Sequence, residues 1–247
     1  EGKARLIVKE QGILSGSRVA AEVFSIVDPG LESDMFIDDG SEIKPGDIVF
    51  HVRGRVHSIL KAERLVLNIM QRMSGIATST GMYVEKLAGL KTKVLDTRKT
   101  TPGMRFLEKE AVRTGGGFNH RMGLFDMIML KDNHIDYAGG IENAIRMTND
   151  YLARTKKNLR IEIEARNTGD VRKVLKIGGV DRIMLDNFSL ADTREAVQLI
   201  NGRFETESSG GITLDTIRDY AECGVDFISS GALTHHIRSL DMSLKAF

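Results

Sequence analysis

The sequence predicts an α/β protein whose larger part is a parallel (β/α) barrel, and three observations lead there. From about residue 90 short apolar runs alternate with helix-like stretches, the pattern of parallel strands joined by helical crossovers. That alternation alone fits either a barrel or an open doubly wound sheet. The second observation separates them: each apolar run closes on a polar or charged residue, as expected where strand ends converge on one barrel mouth. Third, 247 residues with 41% hydrophobic and 28% charged content suffice to bury a full core as one large domain, or one with a smaller companion.

Before residue 80 the texture is different. ARLIVKEQGIL reads as strand, and GDIVFHVRGRVHSIL follows the turn signal KPGD. In the latter Phe50, Val52 and Val56 alternate with His51, Arg53, Arg55 and His57, which predicts a strand with one wet face and makes both histidines solvated strand residues. KAERLVLNIMQRM predicts a helix over Lys61 to Met73, with apolar residues around most of its circumference and therefore buried on more than one side. Arg64 would stand near that helix's N-terminus, where the macrodipole opposes a cation.

The later strands are expected in KVLDT (93–97), MIMLK (127–131), RIEIE (160–164), RIMLD (182–186), RFETESS (203–209) and DFISS (226–230). IENAIRMTNDYLAR, TGDVRKVLKI, LADTREAVQLI and TLDTIRDYAECG supply the helices between most of them. The strands end on Asp96 and Arg98, Lys131, Glu164, Asp186, Ser209 and Ser230.

Charge and cysteine content exclude several classes. Thirty-five basic and 34 acidic residues give a formal charge of +1, so no bulk attraction to nucleic acid or an anionic membrane is expected. The single cysteine, Cys223, rules out an intrachain disulfide and a cysteine-based zinc site, and reads as a small core hydrophobe. No run approaches the roughly 20 apolar residues of a membrane span and no signal core follows the N-terminus, so the expected location is cytoplasmic.

The strand ends carry the chemistry. ESSGGIT (207–213) and SSGALTH (229–235) place small residues and glycines where backbone N–H groups approach an anion, and phosphate sites of barrels lie after the final two strands. Arg98, Lys99, His120, Arg121 and Lys131 form a cationic set suited to a polyanionic small molecule. Glu164 and Asp186 are the complementary acids, fit to bind ribose hydroxyls, to hold Mg²⁺ beside a diphosphate, or to act as acid and base. There is no Walker-type loop, no G-x-S-x-G elbow and no H-E-x-x-H pair, and GGG (115–117) lacks the strand of a dinucleotide motif.

NIMQRMSGIAT, VLDTRKTTPGMRFLEKEAVRTGGGFNHRMGLFD, MLKDNH, IEIEARN, IMLDNF, SSGGIT and SGALTH, in this order, resemble the signature of the quinolinate phosphoribosyltransferases, from about residue 60 to 235. The resemblance implies an N-terminal open-faced α/β sandwich followed by an incomplete parallel (β/α) barrel, here residues 1–80 and 81–235, with 236–247 returning to the first domain. It implies transfer of the phosphoribosyl group of phosphoribosyl pyrophosphate to quinolinate with loss of CO₂, giving nicotinate mononucleotide and pyrophosphate for NAD biosynthesis, with Mg²⁺. Carried over position by position, Thr97, Arg98, His120, Arg121 and Lys131 would surround quinolinate, joined by Arg64 from the partner of a homodimer, with assembly beyond the dimer left open. Lys99, Glu164, Asp186, Ser209, Gly210, Gly211, Gly231 and His235 would surround phosphoribosyl pyrophosphate. Lys99, Lys131, Glu164 and Asp186 would be the catalytic groups, and Glu164 and Asp186 would hold the metal directly or through the diphosphate and water. The glycines of GGGFNHR would let a pliable loop carry His120 and Arg121 into the mouth. The family's helical segment ahead of the first strand is expected to be missing. Three other readings stand beside this one: a homologue from molybdenum operons with another substrate, a barrel aldolase using Lys131 as a Schiff-base amine, and an inactive homologue that only binds a dicarboxylate or sugar phosphate.

Overall fold

The computed structural model describes residues 1–247. Its elements in chain order are β1 (Gly2–Val8), β2 (Gly12–Ile13), α1 (Ser17–Val27), β3 (Glu32–Met35), β4 (Glu42–Ile43), β5 (Ile48–Gly54), α2 (Val56–Lys86), β6 (Lys93–Leu95), α3 (Arg105–Thr114), β7 (Ile128–Leu130) and α4 (Asp132–Tyr137). There follow α5 (Ile141–Thr155), β8 (Ile161–Ala165), α6 (Thr168–Ile177), β9 (Arg182–Asp186), α7 (Leu190–Ile200), β10 (Glu205–Ser209), α8 (Ile217–Glu222), β11 (Phe227–Ser229), α9 (Ala232–His235) and β12 (Met242–Ala246). Two compact units result: Glu1–Val84 with Lys99–Gly117 and Ala232–Phe247, and Glu85–Arg98 with Phe118–Gly231. No helix is long and apolar enough to cross a membrane.

The first unit holds a four-stranded antiparallel sheet in the order β12-β1-β5-β3. Alternate residues Ala4, Leu6 and Val8 of β1 point into the core, where they meet Val52 and Phe50 of β5, Phe24 of α1 and Met70 of α2. The edge-to-face rings of Phe24 and Phe50, 5.6 Å apart, lie within it. β12 extends the sheet at β1, pairing Leu244 with Leu6.

Several expectations change here. The alternation through Val56 is not one strand: β5 ends at Gly54, whose φ of +142° a side chain disfavours, and Val56 and His57 open α2. That helix is 31 residues long, not the segment Lys61–Met73; its first turns bury one side, with Ile59, Ala62, Val66 and Leu67, whereas Met73 to Ala77 are all buried, as expected of a helix covered on more than one side. Leu60 and Leu65 on its other side are 63% and 52% exposed. Arg64 therefore stands in the third turn, beyond the reach of the helix-end dipole, and the electrostatic reason for singling it out fails.

The GGG run also has another explanation than pliability. Gly115 ends α3, and a Cβ there would lie 2.8 Å from Thr80 Cβ; one at Gly117 would lie 2.7 Å from Thr80 Cγ2 and 2.9 Å from Val112 Cγ1. Gly116 adopts a left-handed φ of +86°. The glycines let the end of α3 turn tightly against α2.

The second unit is the six-stranded sheet β6-β11-β10-β9-β8-β7, every pair parallel. Sequence order runs around it until β6 meets β11, and β6 and β7 remain unpaired with each other, so the barrel is incomplete. α6 and α7 start where expected, each capped by a side chain: Asn167 accepts from the Asp170 N–H at 3.0 Å and Ser189 from that of Asp192 at 3.1 Å. The expected helix at Thr213 begins only at Ile217, because Thr213 to Thr216 form a turn closed by their own hydroxyls. α8 is thus six residues long, Ile217–Glu222. Cys223 is buried.

Candidate active site

Parallel register fixes which side chains share a level of the barrel interior. Glu162 on β8 stands opposite Arg182 on β9, which stands opposite Glu205 on β10; four residues on, Ser209 is opposite Asp186. Successive inward positions therefore form layers. Glu164, Asp186 and Ser209 make the layer at the C-terminal strand ends, and Glu162, Glu207 and Arg182 lie below it.

In the upper layer Glu164 is buried and anchors the start of α4. Its carboxylate pairs with the Lys131 ammonium and accepts the Asp132 N–H at 3.0 Å. Lys131 is in turn placed by its backbone N–H, which donates to His134 Nδ1 at 3.0 Å. Burial and the negative charge of Glu164 raise the Asp186 pKa, while Asn187 Nδ2, donating at 2.9 Å, opposes them. The next turn is sterically specified: Asn187, Gly210 and Gly211 all take positive φ, and a Cβ on Gly210 would strike the Asn187 amide.

His120 and Arg121 arrive beside β6. Phe118 N donates to Val94 O at 2.9 Å and Asp96 N to Phe118 O at 3.1 Å, continuing the ladder for one bridge. The Asp96 carboxylate then accepts the His120 N–H at 2.8 Å, so Asp96, a strand-end acid in the sequence reading, is a buried brace. The His120 ring turns inward, with Nε2 2.9 Å from Glu162 and 3.5 Å from Glu207. Its Nδ1 accepts the Arg121 N–H at 2.7 Å. Burial disfavours a charged ring, but the two carboxylates outweigh it and hold the His120 pKa up to about 9. Burial and the facing Glu207 push Glu162 up to about 7, whereas His120 and Arg182 hold Glu207 down against its own burial.

These acids and His120 are close enough to ligate a metal, their donor atoms lying within 4.8 Å of one another. Arg182 already supplies the positive charge, bonding Glu207 at 2.8 Å and Glu205 at 2.9 Å. Glu162, Glu207 and Arg182 escaped the sequence reading. Their signal was present as charges at inward positions of otherwise apolar strands, in RIEIE, RIMLD and FETESS.

Arg121 is buried too, its guanidinium donating to Met127 O at 3.3 Å. Burial, and then the positive charge of Arg98, make its ionised form less favourable. Thr97, Arg98, His120, Arg121, Lys131, Glu164, Asp186, Ser209, Gly210, Gly211 and Gly231 belong to the second unit; Arg64, Lys99 and His235 belong to the first.

A parallel barrel with two neighbouring guanidiniums, a lysine, two acids and a glycine turn at its strand ends defines a protein built to hold a small polyanion. The C-terminal domain model of quinolinate phosphoribosyl transferase matches residues 76–245, and the N-terminal domain model matches residues 1–74. The chain belongs to the quinolinate phosphoribosyltransferase family. It is 46% identical over 259 aligned positions to the decarboxylating quinolinate phosphoribosyltransferase 1b of Nicotiana tabacum, covering 99% of this chain and 73% of that one. The probable carboxylating nicotinate-nucleotide pyrophosphorylase of Bacillus subtilis is 41% identical, with 98% and 82% covered. Among solved structures, the nicotinate-nucleotide pyrophosphorylase of Francisella tularensis superposes with a TM-score of 0.94 at 41% identity, covering all of this chain and 86% of that one.

Proposed function

We propose that the chain transfers the phosphoribosyl group of phosphoribosyl pyrophosphate to quinolinate and releases CO₂, forming nicotinate mononucleotide and pyrophosphate for NAD biosynthesis. The observation that carries this reading is a buried Arg121 within electrostatic reach of Arg98 at the strand ends, two guanidiniums suited to a dicarboxylate. In this reading Thr97, Arg98, Arg121 and Lys131 bind quinolinate, and His120 holds Arg121 in place from below through its backbone N–H. Lys99, Ser209, Gly210, Gly211, Gly231 and His235 bind the phosphates, and Glu164 and Asp186 face the ribose.

The pyridine nitrogen attacks the ribose C1 as pyrophosphate leaves, so the chain needs no nucleophile of its own. Positive charge developing on the sugar is met by Glu164 and Asp186, and negative charge on the leaving group by Lys99. Once ribosylated, the ring nitrogen is cationic and accepts the electron pair released when the adjacent carboxylate departs as CO₂; the vacated carbon then takes up a proton. Glu164 and Asp186, acids near the C-terminal ends of β8 and β9, are the residues that would hold Mg²⁺, through the diphosphate and water where the Glu164 oxygens are already engaged. When bound, the ion would neutralise the diphosphate.

We place the enzyme in the cytoplasm as a homodimer, or a larger assembly of dimers, with Arg64 serving the neighbouring subunit. Supporting the dimer, Arg64 is exposed on α2 between the exposed Leu60 and Leu65. The test is incubation with phosphoribosyl pyrophosphate, Mg²⁺ and either quinolinate or nicotinate, following product by chromatography. Quinolinate should be converted, and nicotinate, which offers one carboxylate where quinolinate offers two, should have kcat/KM lower by roughly 30-fold or more. Comparable turnover of both would refute the assignment. The same assay separates this reading from a homologue with another substrate.

A further inference from the structure

The loop after β6, Lys99 to Gly103, belongs to no helix or strand, yet its backbone is tied down by side chains from distant parts of the first unit. Glu108, fully buried on α3, is the centre of this arrangement. One carboxylate oxygen takes Arg72 of α2, at 2.8 Å from Nε and 2.6 Å from Nη2, and the other accepts the Thr101 N–H at 3.1 Å. The same Arg72 Nη2 donates to Thr101 Oγ1 at 2.7 Å and to the Thr234 carbonyl at 3.2 Å. Thr234, buried in α9, closes the ring by donating its hydroxyl to Lys99 O at 2.8 Å. On either flank of this ring stand exposed side chains able to donate to a phosphate: Lys99, and His235 next to Thr234. They lie close to each other, since Lys99 is among the groups that lower the His235 pKa, after burial and His236.

An ion pair serving stability alone would need only Arg72 and Glu108. Here the fork and the carboxylate spend every remaining contact on the residues that carry Lys99 and His235. We propose that the Arg72–Glu108 pair is a positioning device: without touching substrate, it sets the spacing of Lys99 and His235 and thereby the affinity for phosphoribosyl pyrophosphate. This rests on the phosphate-binding role given to those two residues above. Lysine at 72 would keep the charge and lose the fork that reaches three partners, and glutamine at 108 would keep the shape and lose the charge.

The experiment measures kcat and both Michaelis constants for the full chain and for Arg72→Lys, Glu108→Gln and Thr234→Val, each checked for native circular dichroism at the assay temperature. Displacement of a binding group by a fraction of an ångström to 1 Å predicts a KM for phosphoribosyl pyrophosphate raised about tenfold in the first two and about threefold in Thr234→Val. The KM for quinolinate should stay within about twofold. Because the pair acts as a unit, the double variant Arg72→Lys, Glu108→Gln should be no worse than the poorer single one. A purely structural pair would lower the melting temperature and the active fraction while leaving both constants alone, and that result, or an equal rise in both, overturns the inference. If the charged-pair variants do not fold, Thr234→Val, which removes one hydroxyl, decides. Absence of turnover by the unaltered chain overturns the functional reading and this inference with it; turnover with unchanged constants in the folded variants overturns the inference alone.

Discussion

The interiors of the two units are made of different material. Beneath the antiparallel sheet, Leu6, Val8, Phe24, Phe50 and Met70 form an apolar core into which β1 sends Ala4, Leu6 and Val8 at alternate positions. Inside the parallel sheet, at equal depth, lie His120, Glu162, Arg182 and Glu207, none more than 8% exposed. The first interior is stabilised by removing apolar surface from water, a non-directional effect that tolerates small shifts. The second holds charges that only their partners make bearable, so its geometry is specified pair by pair. The difference teaches where the chain accepts a cost in stability. The charged layer lies directly below Glu164 and Asp186 and supports His120, whose ring receives the Arg121 N–H.

This contrast can be broken most forcefully at Arg182. Arg182→Met takes from the buried Glu207 its nearest cation, leaving it only His120 at 3.5 Å, and should cost about 3–5 kcal/mol in urea unfolding, while adding Glu207→Leu should return part of the loss. Leu6→Ala in the apolar core should cost about 3 kcal/mol with no such partner able to rescue it, because the loss is contact and cavity. Rescue in the core, or none in the barrel, would abolish the distinction.

The pH dependence sharpens it. Both Glu162, pushed up to about 7, and His120, held up to about 9, bind protons more tightly in the folded protein than in the unfolded chain. The folded state therefore carries more protons between about pH 4.5 and 9, and stability from this cluster is greatest at the acid side and falls as pH rises. Relative to Glu162→Gln, the unaltered protein should lose stability from pH 5 to 7 at up to about 1.4 kcal/mol per pH unit, as read from denaturant midpoints. A flat difference would mean that Glu162 is ionised throughout. The smallest effect is expected on the rim of the barrel: Ser189→Ala should cost about 1 kcal/mol by removing the α7 cap, with no change in pH profile.

The alternating strands and helices of the barrel were legible because each element carries its own signal. RIMLD occupies its predicted range, and TGDVRKVLKI and LADTREAVQLI begin beside a capping Asn167 and Ser189. Legibility failed where a local pattern competed with a longer element: Val56 and His57 continue the alternation of β5 in sequence, yet they open α2 because Gly54 ends the strand. α1 escaped notice for lack of a capping side chain, since its first N–H is taken by Asp39, 22 residues away. In the site, the strand-end residues were visible as polar closures of apolar runs, and the family resemblance gave them roles.

By itself, then, the sequence determined the kind of protein and the residue types at its strand ends, because periodicity and caps act within a few residues along the chain. Only the tertiary structure decided that Asp96 braces a backbone, that GGG serves close packing against α2, and that His120 turns inward to Glu162 and Glu207. Those outcomes depend on contacts between residues distant in the chain, such as His120 with Glu162 and Glu207, and on burial, which makes a charge costly until a partner from another strand is opposite it.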